Sequence, residues 1–215
     1  MTQASIATMR VHYASALFDI EHCTVNPLIQ FGLWFDQAVE AKLPEPNAMV
    51  LATATQSGKP SARVVLLKEC NQEGFVFYTN YESHKGKLIA ENNEVALVFN
   101  WLELHRQVRI EGFATKVSKE VSTEYFQSRP RGSQVGAWAS PQSSIIPSRE
   151  DIEMKREAIE KQYSDVEVLP LPPFWGGYLV VPNSIEFWQG RPNRLHDRIL
   201  YTKEDTVWNR NRLAP

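Results

Sequence analysis

The chain has 215 residues, with 23 basic and 25 acidic side chains and a formal net charge of −2. That length favours one domain on the usual scale of roughly 150 residues each, and the balanced charge excludes a global field drawing the protein to nucleic acid or an anionic membrane, so any anion site must be local. Apolar runs such as AMVLA at 48–52 and VALVF at 95–99 are far below the roughly 20 residues that span a bilayer, no secretory leader pattern opens the chain, and Cys23 and Cys70 form no C-x-x-C; a cytoplasmic protein in a reducing compartment is expected.

In chain order, residues 1–25 read as a flexible segment and 26–215 as a single domain. NPLIQFGLWFDQAVEAKL, residues 26–43, carries apolar residues at helical spacing after an Asn-Pro start and before Pro44, which predicts a helix. The period then changes to two. AMVLATATQSGKPSARVVLLKECNQEGFVFYTN reads as three strands joined by Gly-containing turns, an antiparallel meander. ESHKGKLIAEN is short and helix-like, and EVALVFNWLELHRQVRIEGFATKV supplies another strand pair. SKEVSTEYFQSR predicts a helix capped by Ser118 and ended at Arg129 by Pro130. SREDIEMKREAIEKQY is a charge-laced surface helix, and FWGGYLVVPNSIEFWQG with RLHDRILYTKEDTVWNRNRLAP gives the closing strands. Many strands with a few short helices between them predict a mainly β fold, a closed antiparallel barrel with α additions.

The sequence contains no G-x-G-x-x-G, G-x-x-x-x-G-K-[ST], G-x-S-x-G or H-E-x-x-H, and its histidines at 12, 22, 84, 105 and 196 show no metal-ligand spacing, so no metal is expected. A phosphate would have to be held by Arg, Lys, Ser and Thr side chains on a sheet and its edges. Arg63 and Lys68, five apart in ARVVLLK, point to opposite faces of a simple strand; either they serve two ligand parts or one is a surface charge. Thr79, Ser83 and Lys85 surround a helix start where hydroxyls, an ammonium and backbone amides can converge on an anion, or where a helix is simply capped. Tyr125 and Arg129 share a helix face at i, i+4 with Ser133 just beyond Pro130: a phosphate clamp or a surface ion-pairing set.

WQGRPNRLHDR, residues 188–198, is the densest concentration of anion-binding side chains. Read as a strand, it puts Arg194, His196 and Arg198 on one face, with Trp188 and Trp175 available as a flat wall for an aromatic, anionic ligand; an oligomer interface is the competing reading.

RVVLLK, FYTN, RQVRIEG, YFQSRPRGSQVGAWAS, QSS, FWGG, IEFWQG, RLHDR and RLAP, in this order from about Asn26 to Pro215, together resemble the pyridoxamine 5'-phosphate oxidase family. The resemblance implies an FMN-binding split β-barrel homodimer with FMN at the subunit interface. It implies oxidation of pyridoxamine or pyridoxine 5'-phosphate to pyridoxal 5'-phosphate with O2 as acceptor, in vitamin B6 metabolism. By that resemblance FMN contacts fall on Arg63, Val64, Val65, Leu66, Leu67, Lys68, Tyr78, Thr79, Ser83, His84, Lys85, Gln107, Gln142, Ser143, Trp188 and Arg198. Substrate contacts fall on Lys68, Tyr125, Arg129, Ser133, Arg194 and His196, the last two orienting the ring for catalysis, and Arg10 and Tyr13 are implied as parts of a lid.

One departure is Ser83-His84-Lys85 where the family usually carries Ser-Arg-Lys, an imidazole replacing a permanent guanidinium. The alternative reading is a non-catalytic flavin- or haem-binding split barrel, which needs the cofactor set without the substrate clamp. No nucleic-acid or membrane partner is expected.

Overall fold

A computed structural model describes residues 17–215, so Arg10 and Tyr13 lie outside the described residues. The helices are α1 (Pro27–Glu40), α2 (His84–Glu91), α3 (Lys119–Ser128), α4 (Arg131–Ala139) and α5 (Arg149–Gln162). The strands are β1 (Ala48–Ala54), β2 (Pro60–Leu66), β3 (Glu69–Cys70), β4 (Phe75–Asn80), β5 (Glu94–Trp101), β6 (Arg106–Lys116), β7 (Trp175–Gln189), β8 (Asp197–Glu204) and β9 (Val207–Arg212). The sheet path is β2-β1-β5-β6-β7-β4-β3, with β8 on β7 and β9 on β8. The described residues fall into two compact units, each assembled from separate stretches: 17–47, Val98–Ile110 and Asn183–Pro215 form the first, Ala48–Leu97 and Glu111–Pro182 the second.

In the second unit, β1 and β2 form the expected hairpin, with Leu51 opposite Arg63. The three-strand meander is corrected. The chain leaves β2 at Leu66, the Lys68 amide bonds Val76 O at 2.8 Å, and β3 makes a separate hairpin with β4 in which Glu69 pairs with Val76. The other edge of β4 pairs antiparallel with β7, Tyr78 opposite Gly177 and Thr79 opposite Gly176. Two glycines are needed there because a Cβ on Gly176 would stand 2.1 Å from the Tyr81 hydroxyl, and one on Gly177 would stand 2.8 Å from the Tyr78 ring.

The helices of this unit follow their caps. Ser118 Oγ accepts from the Val121 amide at the start of α3, and Ser148 and Asp151 make a reciprocal capping box on α5. α5 buries none of its residues, as its charge pattern predicts. The helix α4 was not anticipated: Pro130, which ends α3, also serves as the N-cap residue of α4. Phe126, Val135, Leu169 and Trp175 form the buried cluster joining these helices to the start of β7.

In the first unit, the Asn26 side chain caps α1 by accepting from the Leu28 amide, and α1 buries Phe31, Trp34 and Ala38. Trp34 meets Phe187 edge-on at 5.2 Å between centroids, and Phe31 lies 4.9 Å from Phe99. The second half of β7 pairs with β8, Trp188 opposite Arg198, and β9 completes a hairpin with β8.

Candidate active site

Two cations stand close together in the second unit. From β2, Arg63 donates through Nη1 to Leu51 O and Thr53 Oγ1, both at 2.9 Å, and through Nη2 to Ser61 Oγ at 2.7 Å. Lys85, in the first turn of α2, donates through Nζ to Gln142 Oε1 at 2.9 Å and Thr79 Oγ1 at 3.2 Å. Every one of these partners is neutral, and among the described residues no carboxylate pairs with either cation. Burial, followed by the charge of Arg63, pulls the Lys85 ammonium below its ordinary pKa, and burial does the same to Arg63. Mutually repelling, partly desolvated cations with neutral ligands are stabilised by an arriving anion. This donor set fits a phosphate monoester.

The sequence-predicted neighbours divide around this pair. Thr79, Lys85 and Gln142 meet directly. Ser83 is fully buried and its hydroxyl is committed to the cap, donating to Asn80 O at 2.6 Å and accepting from the Gly86 amide at 3.3 Å. His84 is exposed at the first position of α2, and Ser143 is exposed with a left-handed φ of 70°. On β2, Val64 is exposed and Val65 and Leu66 are half-buried, while Leu67, just past the strand, is buried. Lys68 lies beyond β2 with an exposed side chain, so the opposite-face argument, which needs one continuous strand, does not apply to it.

A second candidate anion site lies between α3, α4 and the start of β7. The idea that Tyr125 and Arg129 share a helix face is corrected: Arg129 is the C-cap residue, with φ −73° and ψ 149°, because the following Pro130 excludes the helical conformation. Its guanidinium carbon lies 4.8 Å from the Trp175 ring centroid, and its Nη1 is buried with no hydrogen-bond partner among the described residues. Beside it, Tyr125 stacks on Tyr78 at 3.8 Å, and burial together with nearby Glu69 pushes the Tyr78 phenol up to about 12. A cavity of about 260 Å³ opens here, lined by Asn80, Arg129, Ser133, Gln142 and Trp175 among others. A guanidinium N–H left unpaired in a polar cavity calls for an acceptor beyond the described residues, and a phosphate oxygen is one that fits.

In the first unit, the same-face reading of Arg194, His196 and Arg198 is corrected. Arg194 closes a short 3-10 turn, Pro192–Arg194, in which Asn193 and Arg194 have left-handed φ of 57° and 63°; His196 follows in the loop, and only Arg198 lies on a strand. The alternation failed because two consecutive left-handed residues reverse the side-chain directions that a strand would impose. His196 Nδ1 accepts from the Arg191 amide at 3.1 Å, and its ring lies 4.5 Å from that of Trp188. Burial, then the charges of Arg194 and Arg198, lower the His196 pKa against the opposing influence of Asp197. The imidazole is thereby kept neutral, with its hydrogen on Nε2.

Arg198 is gripped by Glu186, which receives Nε at 2.7 Å and Nη2 at 3.1 Å, while Nη1 donates to Ala214 O at 2.9 Å. Arg109 binds the same buried carboxylate. Gln107 is half-buried on β6. Sequence reasoning missed Glu186, although a carboxylate at an inward position of IEFWQG is a usable signal, since a buried acid demands cationic partners. It also missed Asn80 in the cavity wall. Among the described residues, no group of His, Cys, Asp and Glu is arranged to hold a metal ion, and no helix is long and apolar enough to cross a membrane.

A mainly β sheet carrying carboxylate-free cations near an aromatic-walled cavity is the arrangement of a split-barrel protein with candidate sites for anionic ligands. Residues 35–163 match the family model described as pyridoxamine 5'-phosphate oxidase, and residues 175–215 match that of the pyridoxine 5'-phosphate oxidase C-terminal dimerisation region. The chain belongs to the pyridoxamine 5'-phosphate oxidase family, a family of FMN oxidoreductases with the split-barrel fold. It is 52% identical to a pyridoxine/pyridoxamine 5'-phosphate oxidase of Salinibacter ruber over 214 residues, covering 99% of this chain and 100% of the relative. A relative of the same name from Paraburkholderia phytofirmans is 53% identical over 213 residues, covering 98% and 99% of the two chains. Among solved structures, PhzG from Burkholderia lata 383 in complex with tetrahydrophenazine-1-carboxylic acid superposes with a TM-score of 0.89 at 27% identity, covering 95% of this chain and 100% of that one. An FMN-binding, pyridoxamine 5'-phosphate oxidase-related protein from Nostoc punctiforme shares the fold, with a TM-score of 0.68 at 16% identity, covering 89% and 100%.

Proposed function

We propose that this protein is a cytoplasmic, homodimeric, FMN-dependent oxidase that converts pyridoxamine and pyridoxine 5'-phosphates to pyridoxal 5'-phosphate, reducing O2 to H2O2 and releasing NH3 from the amine. The observation that carries the substrate half of this reading is the buried, unpartnered Arg129 Nη1 in a cavity shared with Ser133. It is a donor beyond the set assigned to the flavin phosphate, which favours the oxidase over a flavin store or haem carrier.

Arg63, Lys85, Thr79 and Gln142 would hold the FMN phosphate, exchanging neutral partners for a dianion. FMN, when bound there, would supply the two-electron redox chemistry between substrate and O2. The protein's work is placement. Arg129 and Ser133, with Tyr125 and Lys68, grip the substrate phosphate, and binding energy remote from the reacting carbon fixes its position. His196, neutral and hydrogen-bonded at Nδ1, offers Nε2–H as a donor to a ring substituent, and the exposed Arg194 offers charged donors beside it. Trp188 and Arg198 complete the flavin set.

The test is to incubate the purified holoenzyme in air with pyridoxamine 5'-phosphate and follow pyridoxal 5'-phosphate and peroxide together. Equal yields of the two support the reading; a yellow protein that forms neither is a flavin binder only.

A further inference from the structure

The loop that carries Arg194 and His196 holds two consecutive non-glycine residues with left-handed φ, Asn193 at 57° and Arg194 at 63°. Such a backbone persists only where its surroundings hold it. The carboxylate of Asp197 stands at the end of this loop. It is buried at the first position of β8, and its two oxygens serve three different segments. Oδ2 faces Arg191 Nε at 3.6 Å and accepts from the Phe18 amide at 3.2 Å, while Oδ1 accepts from Arg212 Nη1 at 3.0 Å. Arg212 in turn reaches Asp19 through Nη2 at 2.9 Å. Arg191 is therefore held twice: its guanidinium by Asp197, and its backbone amide by His196 Nδ1 at 3.1 Å. The two ends of the loop are thus closed on each other, and the closure includes the bond that sets the His196 tautomer.

We propose that Asp197 is a positioning residue for the oxidase reaction, holding the 191–196 loop through Arg191 so that His196 presents Nε2–H to the substrate ring. Asp197 touches neither substrate nor flavin; it acts through His196. This rests on the assignment of His196 to the substrate site made above.

The test is a double-mutant cycle on the FMN-loaded enzyme, reading kcat/KM for pyridoxamine 5'-phosphate together with FMN content and Tm. Asp197→Asn keeps the shape while removing the charge and turning one of the two acceptor oxygens into a donor NH2. Residues that act as a unit are non-additive, so Asp197→Asn is expected to lower kcat/KM by roughly tenfold or more in the native background and by less than about threefold when His196→Ala is already present. A merely structural loss would be the same in both backgrounds, and that result overturns the proposal. So does an unchanged kcat/KM for Asp197→Asn where His196→Ala is impaired. A fully active His196→Ala overturns both this proposal and the assignment of His196, which separates the two failures. If Asp197→Asn does not fold, Arg191→Met breaks the same closure from its other end, and the same dependence on His196 is required of it.

Discussion

The guanidinium of Arg129 lies 4.8 Å over the Trp175 ring while its buried Nη1 meets no acceptor among the described residues. An unsatisfied buried donor costs about 1–3 kcal/mol, comparable with the roughly 2 kcal/mol that a desolvated cation–π contact returns. Arg129→Met should therefore leave the Tm of the ligand-free protein within a few degrees of the parent's in a thermal melt, since about 1 kcal/mol corresponds to roughly 2–4 °C at this chain length. The same variant should raise the KM for pyridoxamine 5'-phosphate about tenfold or more, as loss of a charge-assisted contact of about 1.5–3 kcal/mol requires. An unchanged KM removes Arg129 from the clamp.

Lys85 carries a testable pH signature. Its pKa is depressed by burial and by Arg63, so in the window below the ordinary ammonium value the unfolded chain binds more protons than the folded one. For a base lowered on folding, stability then rises with pH through that window. Flavin-free protein should show this rise in urea midpoints on going alkaline, and the FMN-loaded protein a smaller one, because a phosphate dianion restores the charged form. Lys85→Met should abolish the difference and weaken FMN binding roughly tenfold or more, measured by fluorescence quenching.

The imidazole of His196 is held neutral by burial and by the adjacent Arg194 and Arg198 charges, against the pull of Asp197. The sign is that of a base lowered on folding: stability is lost as pH falls from the ordinary imidazole value toward the folded one. The His196 ring proton in an NMR titration should move with a midpoint below that of an unstructured histidine, and the acid limb of kcat/KM should follow it. A midpoint at or above the ordinary value contradicts the assigned environment.

His84 is exposed on the first residue of α2, immediately before Lys85. His84→Arg puts a permanent guanidinium with five donors beside Lys85 and should tighten FMN binding several-fold. Isothermal titration of the two proteins with FMN checks this. An unchanged Kd leaves His84 outside the flavin phosphate site.

Local signals in the sequence carried well into the structure and non-local ones did not. Asn26-Pro27 and Ser118 cap α1 and α3 as read, since capping is settled within four residues. The hairpin of β1 and β2 follows from its turn, but β4 chooses β7, almost a hundred residues away, and that choice depends on the close approach Gly176 and Gly177 permit. Arg63, Thr79, Lys85 and Gln142 were recognisable by residue type and family resemblance, and Lys85 does meet Thr79 and Gln142. The geometry of Arg194 was not legible, because the strand-like alternation around it says nothing of the left-handed residues at 193 and 194. Nor was the buried role of Glu186, whose partners Arg109 and Arg198 are recruited from two other strands.

The central claim, that a phosphorylated B6 substrate donates electrons directly to a flavin held by this chain, is tested most directly by anaerobic mixing in a sealed cuvette. Adding pyridoxamine 5'-phosphate to the FMN-loaded protein should bleach the visible flavin band in one turnover, admitting air should restore it, and unphosphorylated pyridoxamine at the same concentration should leave it largely unchanged. A flavin band that stays constant with excess phosphorylated substrate, in protein with full FMN content, contradicts the account.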